Sequence, residues 1–157
     1  MKAGFAFSHP AHVIACGFGT GLAPLAPGTF GSLLGWGIGW ALAGWHAGLV
    51  FSLLAILFVL GLWACDITGR HLGVSDHRAM VWDEVVAFAL VIAIVPAEAA
   101  WQLGAFIAFR FFDIAKPPPI REFERRYGGG FGVMFDDVVA AGYTVLVLAA
   151  AKRFLFA

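Results

Sequence analysis

Charge is scarce in this sequence: Asp, Glu, Lys and Arg make up 13% of its 157 residues, roughly half the share found in an ordinary soluble domain. Together with a mean hydropathy of +0.87, that scarcity excludes a disordered chain, a coiled coil and a secreted disulfide scaffold. Neither sign dominates, with ten basic residues against ten acidic ones, so the excess of Lys and Arg that a nucleic-acid binder needs is missing. Two cysteines, Cys16 and Cys65, are too few for a disulfide framework, and neither has a partner at zinc-ligand spacing. Both are expected to be small buried apolar residues. A secretory signal is not expected either, because Ser8, His9, Pro10 and His12 interrupt the apolar stretch that would follow Lys2. The amino terminus therefore reads as mature and cytoplasmic.

What is present is hydrophobic, 61% of the chain, which moves it to the membrane class. The length suits a single domain, 1–157, with no repeat and no linker, so any chemistry must sit within the membrane-associated fold itself. From Phe30 to Cys65 there is no Asp, Glu, Lys or Arg. One helix of that length would measure about 54 Å, against a hydrocarbon core of about 30 Å. A hairpin turning at Gly44-Trp45-His46-Ala47-Gly48 resolves the excess. In the first arm Gly31, Gly35, Gly39 and Ala43 recur every fourth residue, a smooth strip that lets a neighbouring backbone approach. The second arm, Leu49 to Ala64, is bulky and is expected to face lipid. The stretch Val85 to Phe109, interrupted by Pro96 and Glu98, is either one kinked crossing or a hairpin of two short arms. A third apolar stretch runs from Val138 to Ala151. The expected fold is all-α, a compact membrane-embedded bundle with polar loops on one face.

Polar residues collect in three segments: Gly17 to Ser32, Asp66 to Glu84, and Arg110 to Asp137. The last holds Arg110, Lys116, Arg121, Arg125 and Arg126, the densest basic cluster, expected on the cytoplasmic side. Two acidic pairs, Asp83-Glu84 and Asp136-Asp137, each precede an apolar run. They are either helix-start residues complementing the macrodipole or, taken with the other acids gathered in these two segments, ligands for a hard cation such as Mg²⁺. Arg110, Asp113 and Lys116 fall three residues apart on one helix face, before Pro117-Pro118-Pro119 stops the helix. The Gly-rich segment ending in Thr29 and Ser32 is not a Walker A loop; it is either a capped helix entry or an anion cradle. His77, beside Asp76, is a candidate general acid.

In combination these residues become more specific. Pro27-Gly28-Thr29-Phe30-Gly31-Ser32, then Gly73-Val74-Ser75-Asp76-His77 leading to Val81-Trp82-Asp83-Glu84, resemble the phosphatidylglycerophosphatase A family. So do Phe109-Arg110-Phe111-Phe112-Asp113-Ile114-Ala115-Lys116-Pro117-Pro118-Pro119-Ile120 and Gly129-Gly130-Phe131-Gly132-Val133-Met134-Phe135-Asp136-Asp137 with Ala141-Gly142. The blocks follow the family's order over most of the chain. Two positions depart from the pattern: Ala87 stands where the family usually has Gly, and Pro118 where it has an aromatic residue.

The resemblance implies a Mg²⁺-dependent enzyme of the bacterial inner membrane, its site facing the cytoplasm. It would hydrolyse the terminal phosphomonoester of phosphatidylglycerophosphate to phosphatidylglycerol, with the lipid bilayer as its setting and no nucleic acid. On this expectation Asp83, Glu84, Asp136 and Asp137 hold metal, while Thr29, Ser32, Arg110 and Lys116 orient the phosphate. Asp113 ligates metal or activates water in preference to attacking the phosphorus, and His77 and Lys116 assist the chemistry. The alternative of another class is a small transporter or channel subunit with a carboxylate-lined pathway.

Overall fold

The computed structural model describes residues 1–118, 120 and 127–155; Arg121, Arg125 and Arg126 of the basic cluster lie outside them. Among the described residues the chain is helical and contains no strand. Two short helices, α1 (Ala3–Ala6) and α2 (Pro10–Ala15), lead through a 3-10 segment, Gly17–Leu22, into α3 (Pro27–Ala41). Then come α4 (Ala47–Leu72), α5 (Trp82–Ile94), α6 (Ala99–Ala115) and α7 (Gly129–Leu155).

Local chemistry sets the ends of these elements. Pro27 occupies the first turn of α3, where its missing N–H costs nothing. The His46 ring caps α4 by accepting from the Gly48 N–H, and Gly73 closes it in the left-handed conformation at φ 70°. Pro96 follows the end of α5. The turn between α3 and α4 falls where the glycines and Trp45 placed it. Val85 to Phe109 is a hairpin, α5 returning through α6, so the single-crossing alternative is set aside.

Only α4 and α7 are long and apolar enough to cross a bilayer among the described residues. At 26 and 27 residues they measure about 40 Å, against about 20 to 26 Å for α3, α5 and α6. Just 28% of the most apolar stretch of α4 is buried, and 39% of that of α7. A core helix of a soluble protein would be mostly covered, so these outward apolar faces are consistent with a lipid solvent. Gly130 of α7 packs on Leu62 and Asp66, and Gly61 of α4 on Met134, so the two long helices run antiparallel.

The glycine strip lies on α5. A side chain at Gly31 would meet Val81, one at Gly35 the Val85 carbonyl, and one at Gly39 the Ile92 side chain. Backbone therefore rests on backbone along the α3/α5 seam, where dispersion contacts are closest. Further ties are the Trp36 indole N–H donating to Gln102 Oε1 at 2.8 Å and the Trp82 N–H donating to the Leu57 carbonyl at 3.1 Å. The departure residue Ala87 sits in the core of α5 against Phe88, Val91 and their neighbours, and both cysteines are buried thiols.

Two expectations about element extent change. α7 begins at Gly129, not near Val138, so Asp136 and Asp137 lie two turns inside a helix whose first turn carries no acid. The capping reading of that pair is thereby corrected. α4 runs past Ala64 to Leu72, because Asp66 and Arg70 bridge at 2.8 Å one turn apart, a pairing that keeps both charges tolerable at the helix end. Gly35→Ala is expected to lower stability by about 1–3 kcal/mol through overpacking. Gly37→Ala, whose new methyl meets nothing within 4 Å, should instead raise it by about 0.5–1 kcal/mol. Thermal unfolding in detergent reads both signs.

Candidate active site

The start of α3, the start of α5, the end of α6 and the first turns of α7 meet at one end of the bundle. The last three deliver charged side chains there, and α3 brings Gly28, Thr29 and Ser32. From α5 come Asp83 and Glu84, in the first turn but with no capping hydrogen bond. From α6 come Arg110 and Asp113, and from its end Lys116, held at φ 42°, ψ 63°. Pro117 bars Lys116 from continuing the helix, and the left-handed conformation, costly for a residue with a Cβ, aims its amine back at α7. Asp136 and Asp137 come from α7.

The connections form one network. Arg110 Nη1 lies 2.7 Å from Asp113 Oδ2, 3.7 Å from Glu84 Oε1 and 3.4 Å from Ser32 Oγ. Lys116 Nζ donates to Asp136 Oδ2 at 2.6 Å. Asp136 Oδ1 accepts from the Asp137 N–H at 3.0 Å. Asp83 lies against Glu84, and Asp113 against Asp137. Gly28 makes room for the network, since any side chain there would collide with Glu84 Oε1 and the Arg110 guanidinium. The glycines of the 3-10 segment serve packing instead: Gly21 rests on the Ala79 carbonyl, in the turn that leads to Asp83.

Much of this polarity is unsatisfied. Asp83 Oδ1, Glu84 Oε2, Asp137 Oδ2 and Arg110 Nε are buried with no hydrogen-bond partner. One carboxylate oxygen each from Asp83, Asp136 and Asp137 lies within 4.8 Å of the others. Buried acids in such contact must share protons or a cation. An all-oxygen donor set with orphaned lone pairs fits a hard divalent ion such as Mg²⁺, so the residues present suit the metal that the sequence implied.

Burial is the foremost cause pushing the Asp83 carboxyl well up, with Glu84 and Asp76 adding to it. Burial likewise raises Glu84 to about 8, helped by Asp137 and Asp113 and opposed by Arg110 and a hydrogen bond with Asp83.

Of the residues expected from sequence, Ser32, Asp83, Glu84, Arg110, Asp113, Lys116, Asp136 and Asp137 are gathered here. Thr29 stands one residue from Gly28 in the first turn of α3, half-buried, its backbone N–H bonded to the Ala26 carbonyl at 2.9 Å. His77 is not in the network: its Nδ1 accepts from the Ala79 N–H at 3.1 Å, and its charged neighbours are the amino terminus, Arg78 and Asp76. The general-acid role expected of His77 has no contact in the cluster to carry it. Its neighbour Asp76 does feel the cluster, acting on Asp83 and Asp136. Gly28 was the residue missed; its place within Pro27-Gly28-Thr29 was the available signal.

A sequence profile described as Phosphatidylglycerophosphatase A matches residues 13–152. The chain belongs to the phosphatidylglycerophosphatase A family. It is 45% identical over 151 residues to the Phosphatidylglycerophosphatase A of Haemophilus influenzae, covering 94% of this chain and 91% of that one. To the protein of the same name from Escherichia coli K12 it is 38% identical, with 88% and 81% covered. A Bacteroides thetaiotaomicron protein named Putative phosphatidylinositol-3-phosphatase is 37% identical over 148 residues, 89% of this chain and 92% of that one. No solved structure matches. Membership makes the chain a phosphatase and sets aside the transporter alternative.

The raised carboxyls have a consequence for stability. In the metal-free protein Asp83 and Glu84 keep protons that the unfolded chain, titrating near 3.8 and 4.5, has already released. Folding stability in EDTA is therefore expected to fall as pH rises from about 5 to about 8. A divalent cation taking the place of those protons should flatten the trend. Unfolding temperatures measured in EDTA and in excess Mg²⁺ at pH 5, 6.5 and 8 provide the check.

Proposed function

We propose that this protein hydrolyses the terminal phosphomonoester of phosphatidylglycerophosphate, with Mg²⁺, at the cytoplasmic face of a bacterial inner membrane. The observation that carries the reading is the pairing of opposites at one buried site. Orphaned oxygens of Asp83, Glu84 and Asp137 share the site with an orphaned donor, Arg110 Nε. The first set asks for a cation and the second for an anion. A divalent ion together with a phosphate would satisfy both.

Asp83, Asp136 and Asp137 would hold the ion, with Glu84 beside them, and a bound ion would supply Lewis-acid charge that offsets the negative charge of a phosphate. Arg110 stands between Asp113, Glu84 and Ser32, so its guanidinium is fixed in direction before substrate arrives, which lowers the cost of binding. Its free Nε–H donates to a phosphate oxygen, joined by the Thr29 hydroxyl at the start of α3. The helix N-terminus there favours an anion. Lys116, tied to Asp136, adds a second positive charge at the opposite rim. Asp113 takes the proton from the attacking water as the water oxygen bonds to phosphorus. The phosphorus–oxygen bond to the lipid then breaks, and the departing alkoxide takes a proton from solvent at the mouth of the site.

The relatives' names specify two headgroups, phosphatidylglycerophosphate and phosphatidylinositol 3-phosphate, with one shared feature: a phosphomonoester on a lipid. The network reads that monoester. Purified protein in detergent is expected to release phosphate from phosphatidylglycerophosphate in Mg²⁺ and not in EDTA. Asp83→Asn and Asp113→Asn should each lower kcat by about 100-fold or more. No release from a folded, Mg²⁺-supplied sample overturns the reading. Faster release from phosphatidylinositol 3-phosphate or phosphatidic acid reassigns the headgroup, and a trapped aspartyl-phosphate reassigns Asp113 from base to nucleophile.

A further inference from the structure

Two cavities lie outside the polar site, on the lipid-facing side of the bundle. One, of about 470 Å³, is set between α4, α5 and α7. The other, of about 370 Å³, follows α5 and α7 toward the far end. They share Leu90 and Val138, and so form one continuous trough. Its lining has no charged or hydrogen-bonding side chain. Its edges are open to the surroundings at Val59 and Leu146, 63% and 67% exposed.

We propose that this trough holds one acyl chain of the lipid whose phosphomonoester the site cleaves; the inference rests on the lipid-phosphatase reading above. Two observations support it. The trough passes the level of the carboxylates: Val86 is one turn below Asp83 on the same face of α5, and Phe131, Phe135 and Val138 of α7 flank Asp136 and Asp137 in sequence. It is also long enough: fifteen residues separate Phe131 from Leu146, about 22 Å of helix, against about 15 Å for one leaflet of a bilayer core about 30 Å thick. A chain lying along it can span its leaflet with its upper end beside Asp83.

Gly142 lines the trough and is exposed, and a Cβ added there would meet nothing within 4 Å. It is therefore a position from which the trough can be filled. Apolar contact along the trough then contributes to holding the substrate, at about 0.8 kcal/mol for each methylene fully removed from water and less where lipid is the alternative.

Gly142→Phe puts a ring into the trough from a position where an added Cβ meets nothing within 4 Å, and Gly37→Phe, on the exposed face of α3 where an added Cβ is equally free, is its control. Two substrates are compared: long-chain phosphatidylglycerophosphate in mixed micelles, and its deacylated, water-soluble headgroup. Gly142→Phe is expected to raise KM for the long-chain lipid about tenfold, the equivalent of roughly two methylenes displaced. Its kcat, and its turnover of the deacylated headgroup, should stay as in the unmodified protein; Gly37→Phe should change neither. Equal effects on both substrates, or none, overturn the trough. Wild-type protein inert toward both substrates overturns the phosphatase reading instead. The trough is then judged by photolabelling with a phosphatidic acid carrying a diazirine on its acyl chain. Label concentrated on residues 138–146 and lost in Gly142→Phe supports it, whereas label spread evenly to Phe30 and Ile107 on other outward faces overturns it.

Discussion

Five carboxylates from three helices are packed into one end of a largely apolar bundle, and the rest of the structure is arranged around that electrostatic debt. Left alone, such a cluster would protonate or force its helices apart. Arg110 and Lys116 hold it together from two sides, one by bridging Asp113, Glu84 and Ser32, the other by reaching from the end of α6 to Asp136. Neither cation completes the neutralisation. Orphaned oxygens stay on Asp83, Glu84 and Asp137, and they leave the end of the bundle with unmet negative charge, which the proposed ion would satisfy. Stability and binding are thus opposed at the same atoms, as is common where function needs incompletely satisfied groups.

The apolar body serves that end by geometry. The glycine seam between α3 and α5 fixes Gly28, Thr29 and Ser32 against Asp83 and Glu84. The α5–α6 hairpin returns Arg110 to the level of Glu84. The antiparallel pairing of α4 and α7, with Gly130 seated on Leu62 and Asp66, brings Asp136 and Asp137 down onto the same plane. Short helices suffice for this, since α5 and α6 have only to meet the site and turn back, while α4 and α7 provide the length that anchors the bundle in lipid.

Much of this was legible in the chain itself. Glycines at every fourth position announce close helix packing, and a charge-free run too long for one crossing requires a turn. The family blocks then gather the charged residues that the structure places together. What was hidden depended on partners distant in sequence. The Gly129–Gly132 run looks like loop, because glycine is unfavourable in a helix. It is helix because Gly130 must sit under the Leu62 carbonyl, a demand that no local pattern contains. Lys116 reads as part of a ladder with Arg110 and Asp113, yet its left-handed backbone turns it to Asp136, twenty residues on. His77 stands next to Asp76 in sequence and looks like its catalytic companion, whereas the fold uses its ring to tie a turn and leaves the acid to feel the cluster.

The seam of backbone on backbone also acts as a gauge. Side-chain interfaces tolerate small slips by changing rotamers, but Gly31, Gly35 and Gly39 offer no rotamers to change. The rotation and height of α3 relative to α5 are therefore set in whole-residue steps. A single added residue between Gly28 and Gly31 would turn the first turn of α3 by about 100°. That would carry Gly28 and the start of α3 off the site while leaving Ser32 and the lower seam intact. Spacing in the apolar part of the chain thereby fixes where Gly28 leaves room for Glu84 and the Arg110 guanidinium.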